Sequence, residues 1–445
     1  MNLVKSSYKK EDVTILLKDI TGMVLPQPTQ ERERLIQSGV HYCEMLPIEY
    51  KPSAKYMEAY QEALKHYAKP TAEAVAALAG KVAAKYGDKV VLVSLARAGI
   101  PIGILLKRCL QTAFHIQAPH YAISIIRGRG IDDNAMHYIL ERHCAEHLLF
   151  VDGWIGKGAI LGELKKCLAA YKGVSPELAV AADPAYITEL CGTHQDILIP
   201  SSCLNSTVSG LISRTFLRSD IIGTQDFHGA AYYGELADAD LSYAFIHAIE
   251  AQFPTKEESN SKESNGNELN GKESNRNEPN SKESNGKESN GKESNGNEPI
   301  GEKRNGNELN GKESNGNELN SKESNGNEPN GKKRNGNELN GKESKSNKLN
   351  SDELNVSIDK GIDEVRKIAA QFDIGDINFI KPGIGETTRV LLRRVPWKVL
   401  IQQESKSDEA LNHIYRLAEE KGVPVAYYPL QHYKACGIIK KIADA

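Results

Sequence analysis

The sequence predicts an α/β protein with a doubly wound parallel sheet, followed by a disordered repeat linker and a small second α/β domain. Three observations lead to this prediction. Apolar strands alternate with amphipathic helices from Lys89 onwards, and five-residue units repeat from Ser261. A second alternation of strands and helices fills the region after the repeat, which is enough chain for one small domain.

The first alternation begins with an apolar strand, and Pro101 stands near the start of the helix that follows, a position that proline favours. An amphipathic helix is expected to begin at Ser53 and to pack on the sheet. Strands are predicted within residues 89–99, 120–126, 147–153, 177–184 and 196–202, and helices within 100–113, 134–143, 159–171 and 207–217. Right-handed crossovers then give an open sheet that binds ligands at the carboxyl ends of its strands.

Three predicted strand ends carry arginine and glycine and are expected to meet in one crevice. They are Arg97, Ala98 and Gly99 after the first strand, residues 127–130 after the second, and residues 152–158 after the third. Glycine lets a backbone turn its N–H groups inward, and a following helix adds its positive end, so the sequence predicts an anion site. A tight strand-to-helix turn with no ligand is the alternative.

Composition favours a soluble cytoplasmic protein. The chain has 445 residues and a formal net charge of −3, so any nucleic-acid site must be a local patch. Its seven cysteines form no CxxC pair, and we expect reduced thiols and no structural metal site. The sequence has no run long enough to span a membrane and no signal-peptide core, and it indicates no oligomeric state.

The repeat is predicted to be a linker rather than a solenoid. Its fourth position changes among Ser, Leu, Pro and Arg, so no stacked apolar core can form. A period of five matches neither helix nor strand, and its Gly, Asn, Ser and Pro favour an open chain. We therefore expect three parts: a domain at 1–253, a disordered linker at 254–355, and a second domain at 356–445.

The motifs VVLVSLARAGIPIG, SIIRGRGIDDNAMHYIL, LLFVDGWIGKGAI and IPSSCLNSTVSGLISRTFL resemble the bacterial family labelled cysteine protease StiP, which is also described as phosphoribosyltransferase-like. The resemblance covers nearly all of residues 10–250. It implies a type I phosphoribosyltransferase-like sheet, an enzyme that acts on a phosphoribosyl or nucleotide substrate, and a role in stress response or tellurium-resistance-type pathways.

The resemblance also implies roles for individual residues. Asp152 would bind ribose hydroxyls and, with the substrate phosphates, a Mg²⁺ ion. Arg97, Arg127 and Arg129 would neutralise pyrophosphate, and the loop after Arg97 would hold it. The 5′-phosphate would lie on the turn after Asp152. The implied substrate-binding residues are Arg97, Ala98, Gly99, Gly156, Lys157, Gly158 and Ala159, and the implied catalytic ones are Arg127, Arg129 and Asp152.

Two alternatives stay open. The first is a cysteine peptidase that uses Cys203, which stands in a polar loop, with His137, His194 or His228 as the base. The second is a non-catalytic nucleotide-sensing protein that binds RNA. Gly153 favours this second alternative, because it replaces the second acid of the usual phosphoribosyltransferase pair.

The last ninety residues contain KPGIGETTRVLLRRVPWKVLIQ and LAEEKGVPVAYYPL, which resemble the Pelota branch of the L7Ae-type RNA-binding fold. In that fold a glycine turn opens a helix onto the RNA backbone, although Gly385 here replaces the base-reading asparagine. The resemblance and the local basic patch predict RNA as a partner. The expected RNA-binding residues are Lys381, Gly383, Glu386, Arg389, Arg393 and Arg394.

Overall fold

The computed structural model describes residues 2–254 and 360–441. The N-terminal region, residues 2–254, is built on a six-stranded parallel sheet in the order β1-β4-β3-β7-β8-β9. These strands are β1 (Thr14–Ile15), β3 (Val91–Leu95), β4 (His120–Ile123), β7 (Leu148–Trp154), β8 (Leu178–Ala182) and β9 (Cys191–Thr193). The predicted α/β class and parallel sheet are confirmed.

Helices cover both faces of the sheet, because alternate strand residues point to opposite sides. Leu92 and Leu149 belong to one apolar core, with side chains of the first helical layer, while Val93 and Phe150 belong to a second core. The first layer consists of α2 (Ala54–Tyr86), α3 (Gly99–Phe114) and α6 (Ser242–Glu250), and the second of α4 (Asp133–Leu140) and α5 (Ala159–Leu168). The doubly wound architecture therefore follows from strands that are apolar on both faces.

The smaller elements complete the N-terminal region. The expected helix from Ser53 is α2, whose first turn is capped by the Ser53 side chain. A helix α1 (Thr29–Gln37) precedes it. Two short pairings join β2 (Lys18–Asp19) to β10 (Gly229–Ala230) and β5 (Ile125–Ile126) to β6 (Gly130–Ile131).

Two predicted elements are wrong. Residues 196–202 form no strand, because the chain there leads into a 3-10 turn at Pro200–Cys203, and β9 takes the edge position instead. Residues 207–217 form no α-helix. Gly210 and Leu211 have φ values of 76° and 56°, which interrupt a helix, and the apolar side chains are buried by an irregular segment. Apolar spacing alone does not distinguish these cases.

The C-terminal region, residues 360–441, has a four-stranded mixed sheet in the order β11-β14-β12-β13, in which only the β12–β13 pair is parallel among the described strands. The strands are β11 (Ile380–Pro382), β12 (Pro396–Gln402), β13 (Val425–Tyr428) and β14 (Ala435–Ile439). Three helices accompany them: α7 (Gly361–Gln371), α8 (Ile384–Arg393) and α9 (Asn412–Glu420). The predicted small α/β region is confirmed.

The two regions belong to one compact unit and share an apolar core. Leu391 of α8 and Ile414 of α9 lie in the same buried cluster as Leu78 of α2. The boundaries 1–253, 254–355 and 356–445 stay a prediction, and the proposed linker lies outside the described residues apart from Pro254. Within the described residues, no helix combines the length and apolar character needed to cross a bilayer.

Two buried acids of the N-terminal region fix this packing. Asp196 accepts hydrogen bonds from the N–H of Ile384, at 3.0 and 3.1 Å, and from the N–H of Lys434, at 2.8 Å. Glu33, which is 3% exposed, receives two hydrogen bonds from Arg394 at 2.7 and 2.8 Å. Asp196 thus caps the first turn of α8 from the other region.

We expect Asp196→Ala to lower the free energy of unfolding by about 2 kcal/mol, because it leaves two buried backbone N–H groups without an acceptor. Urea denaturation of the full chain measures the change. Asp376→Ala is the matched control, since Asp376 is exposed and caps only the N–H of Asn378 within its own region. An equal loss in both variants would contradict a docking role for Asp196.

Candidate functional site

A crevice of about 1710 Å³ lies at the carboxyl ends of the central strands. Strands β4, β3, β7, β8 and β9 have the order 2-1-3-4-5, whose switch point falls between β3 and β7, and the loops after these two strands line the crevice. Residues 376–397 of the C-terminal region line it as well. Basic side chains outnumber acidic ones in the lining by more than two to one. The predicted anion crevice and the predicted RNA-binding turn therefore form one site.

The loop after β3 supplies Arg97 in a paired form. Its guanidinium donates to the carboxylate of Glu49 at 2.8 Å and to the carbonyl of Ile212 at 2.7 Å. Burial opposes ionisation of Glu49, but Arg97 and Arg393 hold the pKa of its carboxyl below the ordinary value. Ala98 lines the crevice, and Gly99 begins α3, where a Cβ would lie 2.4 Å from the carbonyl oxygen of Val151.

The basic loop after β5 is a tight hairpin that is fixed by hydrogen bonds to a side chain of α5. Gly128 and Gly130 both donate backbone N–H groups to the carboxylate of Glu163, at 2.8 and 3.1 Å. Arg127 reaches across to the C-terminal region, where it donates to the Asn378 side chain at 2.7 Å. Arg129 pairs with Glu44 at 2.7 Å, outside the lining of the crevice.

The glycine turn after β7 contacts protein where a phosphate was expected. Lys157, one of the implied substrate-binding residues, donates to the carbonyl oxygens of Ile377 and Ile380, so its ammonium group already has hydrogen-bond partners. Burial, with Lys381 and Arg127 nearby, lowers the pKa of Lys157 to about 7. The Gly156 carbonyl accepts from the Tyr433 hydroxyl at 2.7 Å. Gly158, with a φ of 85°, precedes Ala159 at the start of α5.

Asp152 lies in the floor of the crevice next to this turn. Its carboxylate accepts from the N–H of Gly153 at 2.8 Å. Burial raises the pKa of Asp152 to about 7, although the Gly153 N–H and Arg389 oppose that rise. The carboxyl is thus poised between its two protonation states near neutral pH.

The residues around Asp152 do not suit a Mg²⁺ ion, which prefers several oxygen ligands. Lys157, Lys381 and Arg389 bring positive charge to the same part of the crevice. The described residues contain no group of three His, Cys, Asp or Glu side chains placed to hold a metal ion.

The residues expected to bind RNA lie on the opposite wall. Glu386 and Arg389 pair within α8 at 3.0 Å, and Arg389 lies over the ring of Trp154 at 5.5 Å. Burial lowers the pKa of Lys381 to about 8. Arg393 and Arg394 line the crevice too, whereas Gly383, with a φ of 95°, sets the start of α8 behind it. This basic face therefore turns towards the N-terminal region.

Cys203 lines the crevice with very little exposed surface, and no histidine bonds to it within the described residues. It is 1% exposed, and burial raises the pKa of its thiol to about 12. None of its expected partners hydrogen-bonds to it within the described residues. His228 bonds to Ser124 at 2.9 Å, His194 lies against Cys191, and the ring of His137 lies near that of Tyr171.

Cys191 lies beside His194 in a geometry that does not transfer a proton. Its sulfur is 3.4 Å from Nε2 and 3.8 Å from Nδ1. A sulfur almost equidistant from both ring nitrogens lies beside the ring, not along the in-plane lone pair of either nitrogen. The His194 Nδ1 instead bonds to the carbonyl of Asp183 at 2.7 Å.

His41 and Cys43 form the thiol and imidazole pair with the appropriate geometry. The Cys43 sulfur lies 2.9 Å from His41 Nδ1, and the opposite ring nitrogen, Nε2, lies 3.0 Å from the carbonyl oxygen of Arg127. Tyr42, between them in sequence, lines the crevice, and its hydroxyl accepts from the N–H of Arg127 at 3.0 Å. This pair was not among the predicted site residues, and the His-x-Cys spacing at residues 41–43 is the sequence signal that could have indicated it.

Comparison with known proteins identifies the two regions. A family model described as tellurite-like stress resistance cysteine protease StiP matches residues 6–250. The chain belongs to the StiP family. A second model, the PELOTA RNA-binding domain, matches residues 359–441. A protein of Acinetobacter baylyi named "Cysteine protease StiP" is 29% identical, over 98% of this chain and 94% of its own length. No solved structure matches significantly.

The StiP family corrects the main functional prediction. Phosphoribosyltransferase activity is wrong, because both the family model and the Acinetobacter relative carry the description of a cysteine protease. The geometry gives a physical reason. The ammonium of Lys157, expected to contact the 5′-phosphate, donates instead to the carbonyl oxygens of Ile377 and Ile380 in the C-terminal region. The peptidase alternative agrees with the family description.

We expect Asp152→Asn to raise the Tm of this StiP protein above pH 7 and to leave it unchanged below pH 4. The folded state binds the Asp152 proton more tightly than the unfolded state, so stability present at low pH is lost as the pH rises from about 4 to about 7. Asparagine does not ionise, so the variant does not lose this stability as the pH rises. Thermal melts across this pH range measure the difference.

Asp226→Asn is the matched control for this experiment. Lys18 holds the pKa of the Asp226 carboxyl below its ordinary value through an ion pair of 2.6 Å. The control should therefore lower the Tm at pH 7. If Asp152→Asn also lowered the Tm at pH 7, as the control should, the assignment of a raised pKa to Asp152 would be overturned.

Proposed function

We propose that this protein is a cysteine peptidase with Cys43 as the nucleophile and His41 as the general base. The observation that carries the proposal is the distance of 2.9 Å between Cys43 Sγ and His41 Nδ1. A nucleophile within hydrogen-bond reach of a base, with a third group orienting that base, is the arrangement that covalent catalysis requires.

The Arg127 carbonyl sets the tautomer of the base. A carbonyl only accepts, so His41 Nε2 carries the hydrogen, and the lone pair of Nδ1 faces both the Cys43 thiol and the Cys43 backbone N–H, which lies 3.4 Å away. On attack, the proton moves from Sγ to Nδ1 while sulfur bonds to the substrate carbonyl carbon. The imidazolium then protonates the departing amine, and water hydrolyses the thioester in the second half of the reaction.

The pair is neutral before substrate binds. Burial raises the pKa of the Cys43 thiol to about 11, with Arg129 acting in the opposite direction. Burial also lowers the pKa of His41, although the bond to the Arg127 carbonyl opposes this. Thiolate therefore forms during attack and not beforehand, in contrast to low-pKa catalytic cysteines.

Access to Cys43 requires a local movement, because its side chain has no exposed surface. Cys43 lies in the 3-10 turn Tyr42–Glu44, which is held by the Arg129–Glu44 ion pair and by the bond between Arg127 N–H and Tyr42. The ion pair is partly exposed, so its contribution to stability is small. We propose that substrate binding shifts this turn towards the crevice.

Cysteine variants test the proposal with fluorescein-labelled casein as substrate. We expect Cys43→Ala to abolish hydrolysis and His41→Ala to reduce kcat at least about 100-fold, the usual contribution of a general base. Cys203→Ala and Cys191→Ala are matched controls that should keep wild-type rates. Loss of activity in Cys203→Ala with full activity in Cys43→Ala would transfer the nucleophile to Cys203 and refute this assignment.

We propose RNA binding in the crevice as a second function. The basic residues of α8 and β11 face those of the loops after β3 and β5 across one crevice, and the PELOTA RNA-binding model matches the region that contains α8. Phosphate contacts by lysine and arginine supply sequence-independent affinity. We assign Lys381 and Arg389 to the RNA backbone, because the side chain of Arg389 is 37% exposed in its pair with Glu386, whereas that of Arg97 is only 15% exposed in its pair with Glu49.

Salt dependence tests the RNA proposal. We expect Lys381→Met and Arg389→Met each to weaken binding of a single-stranded oligoribonucleotide and to reduce the slope of log K against log salt by roughly one unit. Fluorescence anisotropy over a salt series measures both quantities. Lys166→Met, an exposed residue of α5 outside the crevice, is the control. Equal slopes in all four proteins would refute the proposed contacts.

We also propose that the parallel sheet is related to the phosphoribosyltransferase-like fold without carrying that activity, and that the protein works in the cytoplasm. The support for the fold is the position of the crevice at the switch point between β3 and β7. The seven free cysteines, which suit a reducing compartment, support the location.

A further inference from the structure

Two arginines in the crevice, Arg32 and Arg214, have neither an ion pair nor a side-chain hydrogen bond within the residues that the structure describes. The Nε atom of Arg32 is buried without a hydrogen-bond acceptor. The Arg214 guanidinium forms no ion pair or side-chain hydrogen bond with the part of the chain that the structure describes, and it lies over the ring of Tyr42 at 4.7 Å. Both side chains line the crevice.

Three other arginines of the crevice, Arg97, Arg389 and Arg394, pair with acids, whereas Arg127 and Arg393 donate to neutral oxygens of Asn378 and Ser202. Arg97 pairs with Glu49 at 2.8 Å, and Arg394 pairs with Glu33 at 2.7 Å. Arg389 pairs with Glu386 within α8. Glu33 and Glu49, whose charges act on Arg32, are therefore each paired with another arginine. The positive charge of Arg32 and Arg214 is left to a ligand.

The charge of Arg214 persists at neutral pH despite its surroundings. Burial, together with Arg32 and Arg97, lowers the pKa of Arg214 to about 9. A buried cation with like charges around it destabilises the protein unless an anion joins it. Because Arg214 is such a cation and lines a crevice large enough for a ligand, its position points to an anion-binding subsite.

The two neighbouring cations without an acceptor, Arg32 and Arg214, match a dianion. A phosphate monoester carries between one and two negative charges near neutral pH and three acceptor oxygens, whereas an internal phosphodiester carries one charge. We propose that Arg32 and Arg214 bind the terminal phosphate monoester of an RNA strand. This proposal rests on RNA binding by the same crevice, because Lys381 and Arg389 on the opposite wall would hold the rest of the strand.

The test uses the full chain and one single-stranded oligoribonucleotide made in three forms. The forms carry a 5′-phosphate, a 3′-phosphate, or hydroxyl groups at both ends. We expect one phosphorylated form to bind about tenfold more tightly than the hydroxyl form by fluorescence anisotropy at fixed salt, the gain of a charge-assisted contact. Arg32→Met and Arg214→Met should abolish that preference.

Arg218→Met is the matched control. Arg218 lies four residues after Arg214, is paired with Asp220 at 2.6 Å and lies outside the crevice, so its replacement should keep the preference. Thermal melts check folding of the test variants. Arg214→Met should have a Tm no lower than that of the wild type, because it removes a cation with no partner.

The outcomes separate this proposal from RNA binding itself. RNA that binds equally well in all three forms overturns the phosphate subsite and leaves RNA binding in place. No binding of any form overturns both. A nucleoside monophosphate that displaces the phosphorylated RNA at equal concentration, or a phosphopeptide that binds when RNA does not, overturns the assignment to an RNA end.

Discussion

The architecture of the site depends on one buried carboxylate, that of Asp196. It is 7% exposed and accepts backbone hydrogen bonds from Ile384 and Lys434, two residues of the C-terminal region. Burial raises the pKa of Asp196 to about 6, and these N–H groups oppose the rise. Because the carboxylate caps α8 from the N-terminal region, it places the basic face of that helix over the carboxyl ends of the sheet.

This docking changes the chemistry of the glycine turn. In an isolated parallel sheet, the turn at Gly156 and Lys157 would present N–H groups and a cation to solvent, which is the usual basis of a phosphate site. Here the C-terminal region uses the Gly156 carbonyl and the Lys157 ammonium as hydrogen-bond partners. Lys157 is therefore occupied, whereas Arg32 and Arg214 in the crevice walls form no ion pair within the described residues.

The sequence patterns predicted those features of the fold that are determined by neighbouring residues in the chain. Apolar strands such as β3 and β7 and the position of the crevice at their ends follow from periodicity and turn residues, whereas the start of α8 after Gly383 was implied by the resemblance to the Pelota fold. The docking of α8 on Asp196 follows from neither, because it depends on a hydrogen bond between residues 188 positions apart. The same reason explains the overlooked His41, whose tautomer is set by the distant Arg127 carbonyl. In segment 207–217, helical spacing of apolar residues masked a backbone interrupted at Gly210 and Leu211.

Arg127 connects the proposed peptidase pair to the crevice. Its carbonyl holds His41 Nε2, its N–H donates to the Tyr42 hydroxyl, and its guanidinium bonds to Asn378 of the C-terminal region. A ligand that displaces the guanidinium from Asn378 would therefore act on the same residue that sets the tautomer of the base. Coupling of this kind needs two arrangements of one element that both sites influence, and the hairpin that carries Arg127 is the element in position to provide them. The two proposed activities, peptide hydrolysis and anion binding, thus share one loop, the hairpin that carries Arg127.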